Sequence, residues 1–150
     1  MTGTTSSASR RRPRPRRSVT KRKRIVVIED DDDTRMTMAA VLEAEGYIVD
    51  ASADAFGDLR HGHPDLVILD LFLHGESAGW QQLDILTLDP ATRRIPVIIC
   101  SAALASLTAA RPKLIALDVA VLEKPFDVEQ LTASVAAAIA SAPRRPEVAR

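Results

Sequence analysis

The stretch KRIVVIEDDDDTR, residues 23–35, decides the fold: four apolar residues at 25–28 run directly into Glu29, Asp30, Asp31, Asp32 and Asp33, with no base among them. Carboxylates this close together persist when water solvates them, when they cap a helix, or when they hold a cation. Four apolar residues are too few for a buried helix and suit a strand covered on both faces. What the other apolar runs end in then becomes the informative question.

Further Val- and Ile-rich runs occur at residues 48–49, 66–69, 97–100 and 119–122. Helix-compatible segments follow the five runs in turn, at 34–45, 54–61, 80–88, 104–115 with a break expected near Pro112, and 128–140. The last is the clearest, with Asp127 and Gln130 at capping-box spacing and Val128, Leu131, Val135, Ala138 and Ile139 on one apolar stripe. Strands alternating with helices imply a parallel sheet covered on both sides through right-handed crossovers. Ligands of such sheets gather beyond the carboxyl ends of the strands, where the strand order reverses. Those ends carry Glu29 and Asp30, then Asp70, then Ser101, then Lys124 followed by Pro125.

Three carboxylates, a hydroxyl and an ammonium on one edge have a specific chemical sense. The acids need a hard divalent cation, and Mg²⁺ prefers oxygen ligands. A carboxylate beside that cation can act as a nucleophile toward phosphorus. The transferred phosphoryl group carries negative charge that the cation, an ammonium and a hydroxyl donor would offset. Asp31, Asp32 and Asp33 fall in the loop and first turn of the next helix, where the helix dipole favours acids.

Composition bounds the reading. A chain of 150 residues with 46% apolar content has the size of one domain with a sizeable core. The single Cys100 lies within VIIC, which excludes a disulfide framework and suits a small core residue of a reduced, cytoplasmic protein. No run is long enough to cross a bilayer, and no signal-peptide core is visible. The formal charge of zero conceals a division: residues 1–24 hold ten bases and no acid, while the other 126 residues hold ten bases and twenty acids. Residues 1–23 therefore read as a disordered basic tail, 24–142 as the folded domain and 143–150 as a second loose end. The tail suits plain solvation, an upstream translation start, or a sequence-independent contact with nucleic acid or an acidic partner through residues 10–24. His61, His63 and His74 sit in turns and loops, and no metal site is expected from them.

The segments IVVIEDD, DLVILDL, VIICSA and LEKPF, in this order and each at a strand end, resemble the receiver domain of bacterial two-component response regulators. The resemblance covers about residues 24–142 and implies a flavodoxin-like three-layer α/β sandwich, a five-stranded parallel sheet of order 2-1-3-4-5 with five helices. It implies that Asp70 is the phosphoacceptor, Ser101 the switch hydroxyl and Lys124 the partner of the phosphoryl group. Mg²⁺ would be held by Asp30 directly, by Glu29 through water, by Asp70 and by the backbone carbonyl of Phe72. It also implies a cis bond before Pro125 that aims Lys124 inward, and a histidine kinase or histidine phosphotransfer protein as donor. The expected product is a stand-alone cytoplasmic phosphoprotein, not an enzyme beyond slow self-dephosphorylation, that signals to a downstream protein in a phosphorelay.

Four departures from the family pattern stand out. His74 replaces the proline usual four residues after the phosphoacceptor, and GESAGW alters the loop beyond it. Leu117 and Asp118 replace the Gly-Ala before the fifth strand, and Val121 replaces the switch aromatic three residues before the lysine, which puts the usual output coupling in question. Phe72 and Ala103 occupy the positions from which polar side chains would orient a hydrolytic water. Two other classes stand beside this reading. A haloacid-dehalogenase-type phosphatase needs a second Asp where Phe72 stands. A receiver-like scaffold idle in phosphorylation and acting through its basic tail remains the alternative. No phosphate-binding glycine loop or dinucleotide fingerprint occurs.

Overall fold

The computed structural model describes residues 20–53, 59–72 and 78–143. They contain strands β1 (Arg24–Ile28), β2 (Ile48–Ser52), β3 (Leu66–Asp70), β4 (Val97–Ser101) and β5 (Ala120–Glu123). The helices are α1 (Asp32–Ala44), α2 (Leu59–Gly62), α3 (Ala78–Leu88), α4 (Leu104–Ala116) and α5 (Val128–Ser141). All neighbouring strands pair in parallel, in the order β2-β1-β3-β4-β5. Four of the five expected helices are long, and the second is represented by the short α2. Residues 54–58 of that expected helix lie outside the described residues, as do 1–19, 144–150 and the loop 73–77 with His74.

Strand alternation divides the core into two layers. Ile25, Val27, Leu66, Ile68, Ile98 and Cys100 face Met38 and Leu42 of α1 and Leu131 and Val135 of α5. Ile28, Val67, Leu69 and Ile99 face Leu83 and Leu86 of α3 and Leu107 and Leu114 of α4. β3 and β4 are buried at every position, as LVILD and VIICS require. Each fully buried aliphatic side chain contributes about 1.5–3 kcal/mol. β2 is an edge strand with four of five positions exposed, so its acidic and hydroxyl residues extend the pairing from the expected 48–49 to Ser52. β5, the other edge, is shifted one residue later than expected. Burial pushes the Cys100 thiol up to about 12.

The helix ends follow capping chemistry. Asp31 caps α1 by accepting from the Thr34 N–H, and this bond holds its carboxyl below the usual range. The capping box of Asp127 and Gln130 opens α5 as expected. Beyond α1, Gly46 takes φ +95° while its N–H donates to the Glu43 carbonyl and that of Tyr47 to the Leu42 carbonyl, a Schellman closure. α4 closes in the same way with Asp118 at φ 54°, which an Asp tolerates better than most residues. The break expected near Pro112 is absent: α4 is continuous through it. Proline removes one N–H donor, but the buried Leu107 and Leu114 on either side pin both halves to the sheet.

A close approach joins α3 to the end of β3. A methyl group on Gly79 would lie 2.3 Å from the Asp70 carbonyl oxygen and 2.4 Å from the Leu71 Cα, so only glycine fits. A methyl group on Gly46 would meet nothing within 4 Å, leaving only its positive φ as a penalty. Gly46→Ala is therefore expected to cost about 1 kcal/mol. Gly79→Ala should cost more, near the top of the about 1–3 kcal/mol range for overpacking. Urea denaturation of both variants checks this, and equal losses would contradict the close approach.

Candidate functional site

The parallel register brings the strand ends together. Ile28 is level with Leu69, Asp70 with Cys100, and Ser101 with Glu123. The residues just beyond these positions share one edge. The Glu29 N–H donates to the Ser52 carbonyl at 3.0 Å, and the Lys124 N–H to the Ser101 carbonyl at 2.9 Å, so backbone pairing carries on past the strands. Glu29, Asp70 and Ser101 are buried, at 2%, 7% and 1% exposure.

The side chains converge on Lys124. Its Nζ donates to Glu29 Oε2 at 2.5 Å and lies 3.5 Å from Asp70 Oδ2. The second oxygen of Glu29 accepts from the Asp31 N–H at 3.3 Å, and that of Asp70 from the Phe72 N–H at 3.0 Å. Ser101 Oγ accepts from the Ala103 N–H at 3.1 Å. Burial raises the Glu29 carboxyl above its usual value, against the pull of the Lys124 ammonium. For Lys124, burial works to lower the ammonium, but the hydrogen bond it donates to Glu29 and the charges of Asp70 and Glu29 together outweigh it, and the net direction is up. Lys124 thus stays charged between two carboxylates. The Lys124–Pro125 bond is cis.

Glu29, Asp30 and Asp70 present carboxylate oxygens that all lie within 4.8 Å of one another. Three hard, anionic oxygen donors, two of them withdrawn from water, fit Mg²⁺. Lys124 brings a single positive charge to the two carboxylates of Glu29 and Asp70. Glu29, Asp30, Asp70 and Lys124 are therefore brought together as the sequence led one to expect. Ser101 ends the neighbouring strand, and Phe72 lies two residues past Asp70, partly buried against the core. Val121 is 41% exposed on β5.

Two residues of the site escaped the sequence. Gly79 sets the approach of α3 to the Asp70 backbone. Arg35 donates from Nη1 to the carbonyls of Glu29 and Asp30 at 2.8 and 3.5 Å, and from Nη2 to Asp32. Its position four residues after the helix cap was the available signal.

The basic head also proves to be divided. Arg22 donates to the carbonyls of Gly46 and Tyr47 at 2.9 and 3.2 Å, Lys23 pairs with Asp65 at 3.6 Å and Arg24 with Asp50 at 2.5 Å. Three of the four head cations among the described residues thus engage the body, on the edge opposite Asp70. Exposed pairs of this kind add only about 0–1 kcal/mol each. Among the described residues no helix is long and apolar enough to cross a membrane.

Comparison with known proteins agrees with this geometry. Among solved structures, a sensor protein from Polaromonas sp. JS666 superposes with a TM-score of 0.70 at 27% identity, covering 82% of this chain and 100% of that one. The chemotaxis response regulator CheY4 of Vibrio cholerae gives 0.69 at 17% identity, over 79% and 99% of the two chains. The receiver domain of a sensor histidine kinase from Pseudomonas aeruginosa, solved with a magnesium ion in its active-site cleft, gives 0.68 at 24% identity, over 81% and 100%. A search of curated proteins gives no match. The family model described as the response regulator receiver domain matches residues 25–136, and the chain belongs to that family.

Proposed function

We propose that Asp70 accepts a phosphoryl group from a phosphohistidine on a histidine kinase or phosphotransfer protein. The observation that carries this reading is the Asp70 carboxylate itself, steadied at one oxygen by the Phe72 N–H and at the other by Lys124. An oxygen of Asp70 attacks phosphorus, the phosphorus–nitrogen bond breaks, and the imidazole leaves with the bonding pair and takes up a proton. The product is an acyl phosphate on Asp70. Mg²⁺ bound at this edge would supply positive charge to the phosphoryl oxygens; Asp30, Asp70 and the Phe72 carbonyl would hold it directly and Glu29 through water. Lys124 offsets further charge, and Ser101 offers a hydroxyl donor from the end of β4. The phosphorylated domain then signals through protein contacts, in the reducing environment of the cytoplasm.

Hydrolysis of the acyl phosphate needs a water held in line, and a nearby polar side chain speeds it. Phe72 and Ala103 lie two residues past Asp70 and Ser101, and neither can hold a water. Labelling the chain with a radioactive small-molecule phosphodonor, removing the donor and following decay tests both points. Label is expected on the unaltered chain and not on Asp70→Asn, with decay over hours. Changing Phe72 to Asn together with Ala103 to Glu should hasten decay roughly tenfold or more, within the range for one positioned catalytic group. Labelling of Asp70→Asn would remove the phosphoacceptor assignment, and decay within seconds would remove the water-exclusion argument.

The charge division favours one additional role, a contact between the basic head and a polyanion. The head joins the body on the edge opposite Asp70, so the two activities are separable. Retention on DNA should be independent of base sequence and fall steeply with salt through counterion release. Removing residues 1–19 should abolish retention and leave phosphorylation unchanged; equal retention by both forms would refute the contact.

A further inference from the structure

The loop between β1 and α1 carries two of the three clustered acids, and its geometry depends on groups outside the cluster. The first helical acceptor of α1 is the Asp31 carbonyl, which takes the Arg35 N–H at 2.9 Å. The carbonyls of Glu29 and Asp30 come just before it and have no place in the helical ladder. Arg35, on the first turn of α1, folds its guanidinium back over the cap and donates to both, at 2.8 Å to Glu29 and at the 3.5 Å limit to Asp30. Its side chain is 19% exposed, so these bonds are partly shielded from water.

The Asp30–Asp31 peptide shows what this accomplishes. Its carbonyl turns toward Arg35, and its N–H, on the opposite side of the same plane, donates to Glu29 Oε1 at 3.3 Å. The Glu29 carbonyl, bonded to the same guanidinium, sets the preceding peptide plane. Both planes flanking the Cα of Asp30 are therefore oriented by one side chain, which sets the direction in which the Asp30 carboxylate leaves the backbone. A guanidinium suits the task because it reaches one atom further than a lysine ammonium, so that Nη1 can span both carbonyls while Nη2 is held by Asp32.

We infer that Arg35 is a positioning residue for the divalent cation: it aims Glu29 and Asp30 by gripping the carbonyls of both. This rests on the reading of Glu29, Asp30 and Asp70 as a Mg²⁺ site. A grip that orients acids favours the ion, whereas a guanidinium acting by charge alone would oppose it. The two effects differ in sign and can be told apart.

The test is titration of the full chain with magnesium chloride, read by calorimetry and by the fluorescence of Trp80, with melting curves recorded in the absence of Mg²⁺. Arg35→Gln is expected to raise the dissociation constant roughly tenfold or more, the scale found when groups supporting metal ligands are removed. Arg35→Lys, which keeps the charge and a donating nitrogen on a shorter side chain without the second nitrogen that Asp32 holds, should fall between the two. Asp32→Asn frees Nη2 but leaves both carbonyl bonds, and should stay within about twofold of the unaltered chain, as expected for loss of an exposed pair. Binding by Arg35→Gln as tight as or tighter than that of the unaltered chain overturns the inference, as does an equal loss in Asp32→Asn. Should the Gln variant fail to fold, the Lys variant decides, and unaltered affinity there overturns the inference. If the unaltered chain itself shows no response to Mg²⁺, the metal-site reading falls and the inference with it; a response confined to the unaltered chain and Asp32→Asn supports both.

Discussion

One ammonium between two buried carboxylates holds the functional edge together. Glu29 and Asp70 end neighbouring parallel strands, are nearly inaccessible to water and carry like charge. Two such groups would repel each other if left alone. Lys124, delivered from the far side of the sheet by β5, meets both, at 2.5 and 3.5 Å. The rest of the fold serves this meeting: the parallel register brings the strand ends level, the two apolar layers keep that register, and Gly79 lets α3 close against the Asp70 backbone. Because Lys124 brings one positive charge to two carboxylates, that pair keeps negative charge suited to a divalent cation.

What the sequence disclosed follows from how each segment meets water. β3 and β4 are buried on both faces, so their runs are uninterrupted and easily read. β2 lies at the edge, and only Ile48 and Val49 of its five residues carry the apolar signature. Pro112 misleads because local propensity breaks a helix there, whereas burial of Leu107 and Leu114 keeps it whole. The acids and the lysine were legible because each occupies a strand end, where sequence position alone specifies location in a parallel sheet. Arg35 and Gly79 were not, because their roles consist of contacts to backbone that exist only once the loops have closed. In the basic head, Arg22, Lys23 and Arg24 bind the body through contacts that no spacing in the sequence announces.

The departures from the family pattern have different weights. Leu117 and Asp118 leave the closure of α4 intact, since Asp118 takes the left-handed conformation itself. Val121 matters more, because a half-exposed valine cannot swing a ring between a buried and an exposed state. An aromatic rotamer at position 121 is therefore not available to link the Asp70 edge to the outer face. α3 and α4 are already linked, with Lys113 bonded to Asp84 at 2.9 Å and lying over the Trp80 ring at 5.1 Å from its centre.

The central claim is that Asp70, Lys124 and the acidic pair form one Mg²⁺-dependent phosphoryl site, and beryllofluoride, which mimics a phosphoryl group on a carboxylate, tests it most directly. Fluorine nuclear magnetic resonance of the full chain should show a bound beryllofluoride signal only when Mg²⁺ is present, and none in Asp70→Asn. A bound signal in the absence of Mg²⁺, or one that survives in Asp70→Asn, would contradict the claim.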